Sequence, residues 1–193
     1  MTLCLKIDPG KPDEEKLAEA FRVLREGGVV AFPTETFYGL AADARNETAV
    51  EKIFRIKGRN FRNPIALIIA DEREVVPLVE EIPAAAKILM QTFWPGPLTL
   101  IFRAAPSVSS RLTGGTGKIG IRVSSHPVAR LLAAGLAGPL TATSANLSGA
   151  PPIESIQSAK TSLPIEKMDP CGFSTPSAAN HRLIRFLTSP TVR

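Results

Sequence analysis

Two uninterrupted apolar runs, Val29-Val30-Ala31-Phe32 and Ile65-Ala66-Leu67-Ile68-Ile69, constrain the fold more than any other feature of the chain. Both have strand length and neither alternates with polar residues, so each strand must be covered on both faces. Helices to cover them are at hand. Asp13 to Glu26 puts Leu17, Ala20, Phe21 and Leu24 on one helical face and stops at Gly27-Gly28. A second helix starts at Thr48, with Val50, Ile53, Phe54 and Lys57 at helical spacing. Arg73 to Glu81 and Ala84 to Phe93 also read as helical, divided at Pro83, and Pro127 to Leu136 as a short helix. Leu98 to Phe102, Ile119 to Val123 and Pro139 to Thr143 supply further strands, and Pro106 to Lys118 reads as a loop. Strands alternating with helices, without an internal repeat, predict an α/β sheet wrapped by helices.

At 193 residues, with 44% hydrophobic and 21% charged, the chain fits one well-buried domain. From about Ser155 onward Ser, Thr and Pro multiply and periodicity fades. Residues 161–193 are therefore read as a divergent or truncated tail of the domain formed by residues 1–160, with Arg182 to Arg193 neither a good strand nor a good helix. The N-terminus lacks a signal-peptide core and the longest tight apolar run is too short to cross a bilayer, which predicts a cytoplasmic protein. Cys4 and Cys171 form no paired motif, and with His126 and His181 as the sole histidines a protein metal cage is not expected. The net charge of +5 suits an anionic ligand or nucleic acid without choosing between them.

The chemistry-bearing residues are cations and hydroxyls. Gly114-Gly115-Thr116-Gly117-Lys118 looks like a phosphate loop but fails, because Leu112 stands where the first glycine belongs and Ile119 where Ser or Thr belongs. Lys57 and Arg59 close a helix, as a solvated basic end or as a phosphate grip. Arg122 alternates with Ile121 and Val123, so it lies on the opposite strand face; it either pairs with a carboxylate at the edge of the core or meets a ligand. Thr143-Ser144-Ala145-Asn146 leaves a strand, as a turn or as ligand contacts. Thr34 follows Pro33, where it can cap a turn. His126-Pro127 reads as a helix start and Trp94 as a packing anchor.

In combination these residues are more specific. PTETFYGL at Pro33 to Leu40, KGR at Lys57 to Arg59 followed by Asn63-Pro64, FWPGPLTLIF at Phe93 to Phe102, IGIRVSSHPVA at Ile119 to Ala129 and ATSANLSG at Ala142 to Gly149 closely resemble the YrdC-like family, the L-threonylcarbamoyladenylate synthases. The match is collinear from roughly residue 5 to residue 152. The resemblance implies an open, twisted, mixed α/β sheet flanked by helices, with a basic concave face. It also implies an enzyme that joins L-threonine, bicarbonate and ATP, with Mg²⁺, into threonylcarbamoyl-AMP and pyrophosphate. A separate threonylcarbamoyl transferase would then modify tRNA. Carried over by motif, Lys57, Arg59, Ser144 and Asn146 are expected at the ATP phosphates, joined by Lys118, where many members have Thr. Thr34 and Arg122 are expected at the threonine. The family's later D-G-G and S-T-V segments survive here as fragments, Asp169-Pro170-Cys171-Gly172 and Pro176-Ser177, with Ser177 in the place of the closing strand's serine near threonine. So abrupt a loss of pattern reads as a shifted reading frame or truncation more readily than as a divergent end, and would weaken ligand binding. The competing reading is a non-catalytic module of the same fold that binds tRNA or double-stranded RNA on the basic face, although one Tyr and one Trp give few stacking platforms.

Overall fold

The computed structural model describes residues 2–149 and 183–187. Eight strands form one mixed sheet: β1 (Thr2–Lys6), β2 (Val29–Phe32), β3 (Gly39–Ala41), β4 (Ala66–Ile69), β5 (Leu100–Arg103), β6 (Lys118–Val123), β7 (Leu140–Ser144) and β8 (Leu183–Leu187). Their order across the sheet is β1-β8-β2-β3-β7-β4-β6-β5. The pairs β1–β8, β8–β2 and β4–β6 are parallel; the other four are antiparallel.

Among the described residues five α-helices surround the sheet: α1 (Glu14–Arg25), α2 (Glu47–Lys57), α3 (Ala84–Phe93), the four-residue α4 (Ser110–Thr113) and α5 (Pro127–Leu136). One core holds Leu17, Ala20 and Leu24 of α1 and Val128, Leu132 and Leu136 of α5 against Val30, Phe32, Ile68 and Leu140. The opposite core packs Val50, Ile53 and Phe54 of α2, Met90 of α3 and Trp94 against Val29, Ala31, Leu67, Ile69, Ile119 and Ile121. Successive residues of β2 and β4 thus enter different cores, which is why neither run alternates in polarity. Trp94 is buried and its indole Nε1–H donates to the Leu98 carbonyl at 2.7 Å, in keeping with a packing anchor.

Four sequence expectations require correction. Leu183–Leu187 is a strand, inserted between β1 and β2. Both edges that it pairs with lie far away in sequence, so no local periodicity announces it. Gly39–Ala41, inside a motif read as loop, is a strand between β2 and β7. The Pro106 to Lys118 stretch contains α4, capped by Ser109, whose hydroxyl accepts from the Arg111 amide, and closed by Gly114. Glu72–Leu78 is a 3-10 helix, consistent with Pro77, which has no N–H to continue an α-helical ladder. Ser177 and Asp169 to Gly172 lie outside the described residues. Among the described residues no helix is long and apolar enough to cross a membrane.

Candidate active site

The site forms where β2, β3 and β7 end together. Backbone register puts Phe32 opposite Gly39, Gly39 opposite Ser144, Ala66 opposite Ala142 and Ile68 opposite Arg122. Strand alternation then sets Gly39, Ser144, Ala142 and Arg122 on the sheet face that also carries α1 and α5. Glycine at position 39 is a packing requirement: a Cβ there would sit 2.9 Å from the Phe32 ring. A cavity of about 80 Å³ opens here, and its lining includes Thr34, Thr36, Tyr38, Arg122, Thr143 and Ser144.

Thr34 shapes the loop that walls this cavity. Its Oγ1 accepts from the Thr36 and Phe37 amides, both at 3.2 Å, and donates to the Phe37 carbonyl at 2.7 Å. The turn-capping reading therefore holds, and a ligand bond to this hydroxyl has to displace one of those contacts. The Ala145 amide donates to the Tyr38 carbonyl at 2.8 Å, tying the loop to the exit of β7.

Lys57 and Arg59 arrive from the other face, at the end of α2. Gly58, with φ of 58°, takes the left-handed conformation that ends the helix, and the chain turns back toward β7. Lys57 is not a solvated helix end: it is 3% exposed. Its Nζ donates to the Ser144 carbonyl, to the Asn146 carbonyl at 2.7 Å and to Asn146 Oδ1 at 3.2 Å. No carboxylate takes part in these bonds. Burial first, and the Arg59 charge second, bring the Lys57 pKa down from 10.5 to about 8. Ser144 Oγ donates to Asn146 Oδ1, and the Ser148 amide donates to the Lys57 carbonyl at 3.0 Å. Arg59 Nη1 donates to Thr143 Oγ1 at 3.2 Å and Nη2 to the Pro64 carbonyl at 3.0 Å, so it joins the Asn63-Pro64 turn to β7. Burial lowers the Arg59 pKa.

Arg122 has found a carboxylate. Its Nη1 lies 3.0 Å from Glu35 Oε1, the two side chains being 13% and 15% exposed. Sequence reasoning assigned Glu35 no role. Yet it is the one acidic residue in the five motifs, and an arginine expected to pair at the core edge points to it.

Thr34, Arg122, Thr143 and Ser144 thus meet in one cavity, while Lys57 binds Asn146 and the Ser144 carbonyl and Arg59 binds Thr143, so both cations reach the β7 edge of that cavity. Lys118 joins neither group. It is exposed at the start of β6, opposite Arg103, and roughly 13 Å along the strand from Arg122. His126 caps α5 through Nδ1, which accepts from the Val128 amide at 3.3 Å; the sequence expected this helix start.

Known proteins share this architecture. The family model Sua5_yciO_yrdC, described as "Telomere recombination", matches residues 22–169. Threonylcarbamoyl-AMP synthase of Bacillus subtilis is 46% identical over 140 residues, 72% of this chain and 40% of that protein. Threonylcarbamoyl-AMP synthase of Coxiella burnetii is 40% identical over 143 residues, 74% of this chain and 77% of that protein. The crystal structure of Pyrococcus abyssi Sua5 complexed with L-threonine superposes with a TM-score of 0.80 at 34% identity, over 95% of this chain and 49% of that one. The chain spans about two fifths of the longer relatives it matches. By the extent of the family match and by a shared fold, this chain belongs to the Sua5/YciO/YrdC family.

Proposed function

We propose that this protein is an L-threonylcarbamoyladenylate synthase, which makes threonylcarbamoyl-AMP and pyrophosphate from L-threonine, bicarbonate and ATP. One observation carries the reading. A single cavity joins Arg122 and the Thr34 loop to Ser144, and Ser144 belongs to a segment wired directly to the buried Lys57. A group that recognises an amino acid and a group that neutralises phosphate therefore share the exit of one strand.

The chemistry asks little of the protein beyond placement. The threonine amine and bicarbonate condense to a carbamate with loss of water. A carbamate oxygen then attacks the α-phosphorus, the bond to the bridging oxygen of pyrophosphate breaks, and the new acyl phosphate remains on AMP. The nucleophile comes from the substrates, so no activated Ser, Cys or His is needed. Positioning and charge neutralisation supply the catalysis.

In this reading the Arg122 guanidinium holds the threonine carboxylate, and the Thr34 turn with the Thr36 hydroxyl forms the wall around the rest of the amino acid. Ser144, Asn146 and Arg59 take the phosphates. Lys57 acts from beneath them, holding the segment's shape and adding its charge. Lys118, on the open rim of the sheet, meets the outer phosphates. Among the described residues no cluster of three His, Cys, Asp or Glu stands ready for a metal. Mg²⁺ fits such a site as the companion of ATP, held by phosphate oxygens and water. The product passes to a transferase that places the threonylcarbamoyl group on tRNA.

The test is pyrophosphate release that depends on both L-threonine and bicarbonate. Its absence in the wild-type chain, with threonine and ATP bound, would overturn the assignment. The same assay run on Lys57→Ala, alongside a circular-dichroism melt, separates loss of chemistry from loss of fold.

A further inference from the structure

We infer that Glu35 is a positioning residue that holds the Arg122 guanidinium in place for the amino-acid carboxylate, an inference that rests on the reading of the cavity given above. Arginine is a long side chain with several rotatable bonds, and one standing at the wall of an open cavity would lose binding energy to its own freedom. Here a continuous path fixes it to the backbone. The His126 amide donates to Ser124 Oγ at 3.2 Å, Ser124 Oγ donates to Glu35 Oε2, and Glu35 Oε1 faces Arg122 Nη1 at 3.0 Å. Ser124 is fully buried, so the anchor point is itself immobile.

The geometry also separates the two roles. Arg122 lines the cavity and Glu35 does not, so the carboxylate stands behind the arginine as its support. Among the described residues no hydrogen bond of good geometry is made by Arg122, and Glu35 is its ion-pair partner. The N–H groups of its fork are thus left to a ligand carboxylate. The Glu35–Arg122 contact is one of charge more than of aligned hydrogen bonding, because Oε1 is buried without a hydrogen-bond partner of good geometry. Removing the charge should then loosen the arginine even where the shape is kept.

The experiment measures L-threonine and ATP affinities separately by titration calorimetry on the full chain, for the wild type, Glu35→Ala, Glu35→Gln and Ser124→Ala, with a thermal melt on each. Glu35→Ala is expected to weaken L-threonine binding about tenfold, the entropy of one freed side chain, and to leave ATP binding within about twofold. Glu35→Gln should fall between Glu35→Ala and wild type, as an isostere that restores shape without charge. Ser124→Ala should weaken threonine binding in the same sense and by less. Threonine affinity that is unchanged, or tighter because an unmasked arginine attracts anions more strongly, overturns the inference. Equal weakening of threonine and ATP overturns it too, since that marks general damage. A wild type that binds threonine but releases no pyrophosphate counts against the synthase reading alone and leaves the Glu35 comparison readable. A wild type that binds no threonine overturns both.

Discussion

Two cations flank the exit of β7, Lys57 buried and Arg122 partly so, and they are held in opposite ways. Arg122 is matched by a carboxylate, Glu35, itself anchored by Ser124. Lys57 is held by two backbone carbonyls and a side-chain amide oxygen, none of which carries a formal charge. The first arrangement gives a nearly neutral pair, in which a carboxylate stands beside a planar guanidinium fork. The second leaves a positive charge uncompensated beneath a short segment, and burial lowers its pKa to about 8. On the proposed function, the first cation reads the shape of a carboxylate and the second awaits an anion.

The comparison breaks most decisively at Lys57. Lys57→Ala removes both the charge and the three bonds that shape Ser144 to Asn146. Threonine-dependent pyrophosphate release is expected to fall by roughly 100-fold or more. Orphaning buried carbonyls should also cost about 1–3 kcal/mol of stability, read from a denaturant melt. Turnover within a few-fold of wild type would show that the charge beneath the segment is dispensable.

Arg122→Ala should be the next largest in effect. Threonine affinity is expected to drop by about 2–3 kcal/mol, while ATP affinity holds, because a charged hydrogen-bonding partner is lost. The substitution also strands the Glu35 carboxylate. If the pair matters as a pair, the Arg122→Ala, Glu35→Ala double variant should be more stable than Arg122→Ala alone. Strictly additive losses in chemical denaturation would mean that the two charges do not sense each other.

A pH series addresses the charge state. Folding holds the Lys57 pKa near 8 against 10.5 in the open chain. Between those values the unfolded chain binds more protons, so the contribution of Lys57 to stability rises with pH across that window. Ligand binding should run the other way: as pH rises through about 8 the ammonium is lost and ATP affinity falls. Lys57→Arg should flatten that fall in ATP titrations, since arginine stays charged. An ATP affinity that is constant from pH 7 to about 9 would exclude Lys57 as a charge donor to phosphate.

The smallest effect is expected at Thr143→Val, which keeps the strand shape and removes the oxygen that accepts from Arg59 Nη1. A cost of about 0.5–1.5 kcal/mol in ATP affinity follows, with a smaller change in threonine affinity because Thr143 also lines the cavity. A larger loss for threonine than for ATP would place Arg59 on the amino-acid side of the strand.

How far the sequence reached depended on whether a feature was local. The α1, α2, α3 and α5 helices were legible because apolar residues such as Leu17, Ala20 and Leu24 recur at helical spacing over ten or more positions. The two faces of β4 were legible because Leu67, Ile68 and Ile69 leave no polar side. The strand Leu183–Leu187 was not, since pairing with β1 and β2 defines it and no repeat within it does. Motif order likewise nominated Thr34 and Arg122 for threonine and Lys57, Arg59, Ser144 and Asn146 for phosphate, without saying that Ser144 would line one cavity with Thr34 and Arg122.

The sequence by itself determined that strands and helices alternate, that the motifs stand in one family's order, and that the candidate site residues are cations and hydroxyls. All of these are written in spacing and residue type. Only the tertiary structure decided that Lys57 is buried beneath Ser144 and Asn146, that Arg122 leans on Glu35, and that Lys118 stands apart at the rim. The reason is physical: burial and pairing of a charged group depend on which distant backbone closes over it. Sheet register across β2, β3, β7, β4 and β6 fixes that closure, and periodicity within any single segment does not record it.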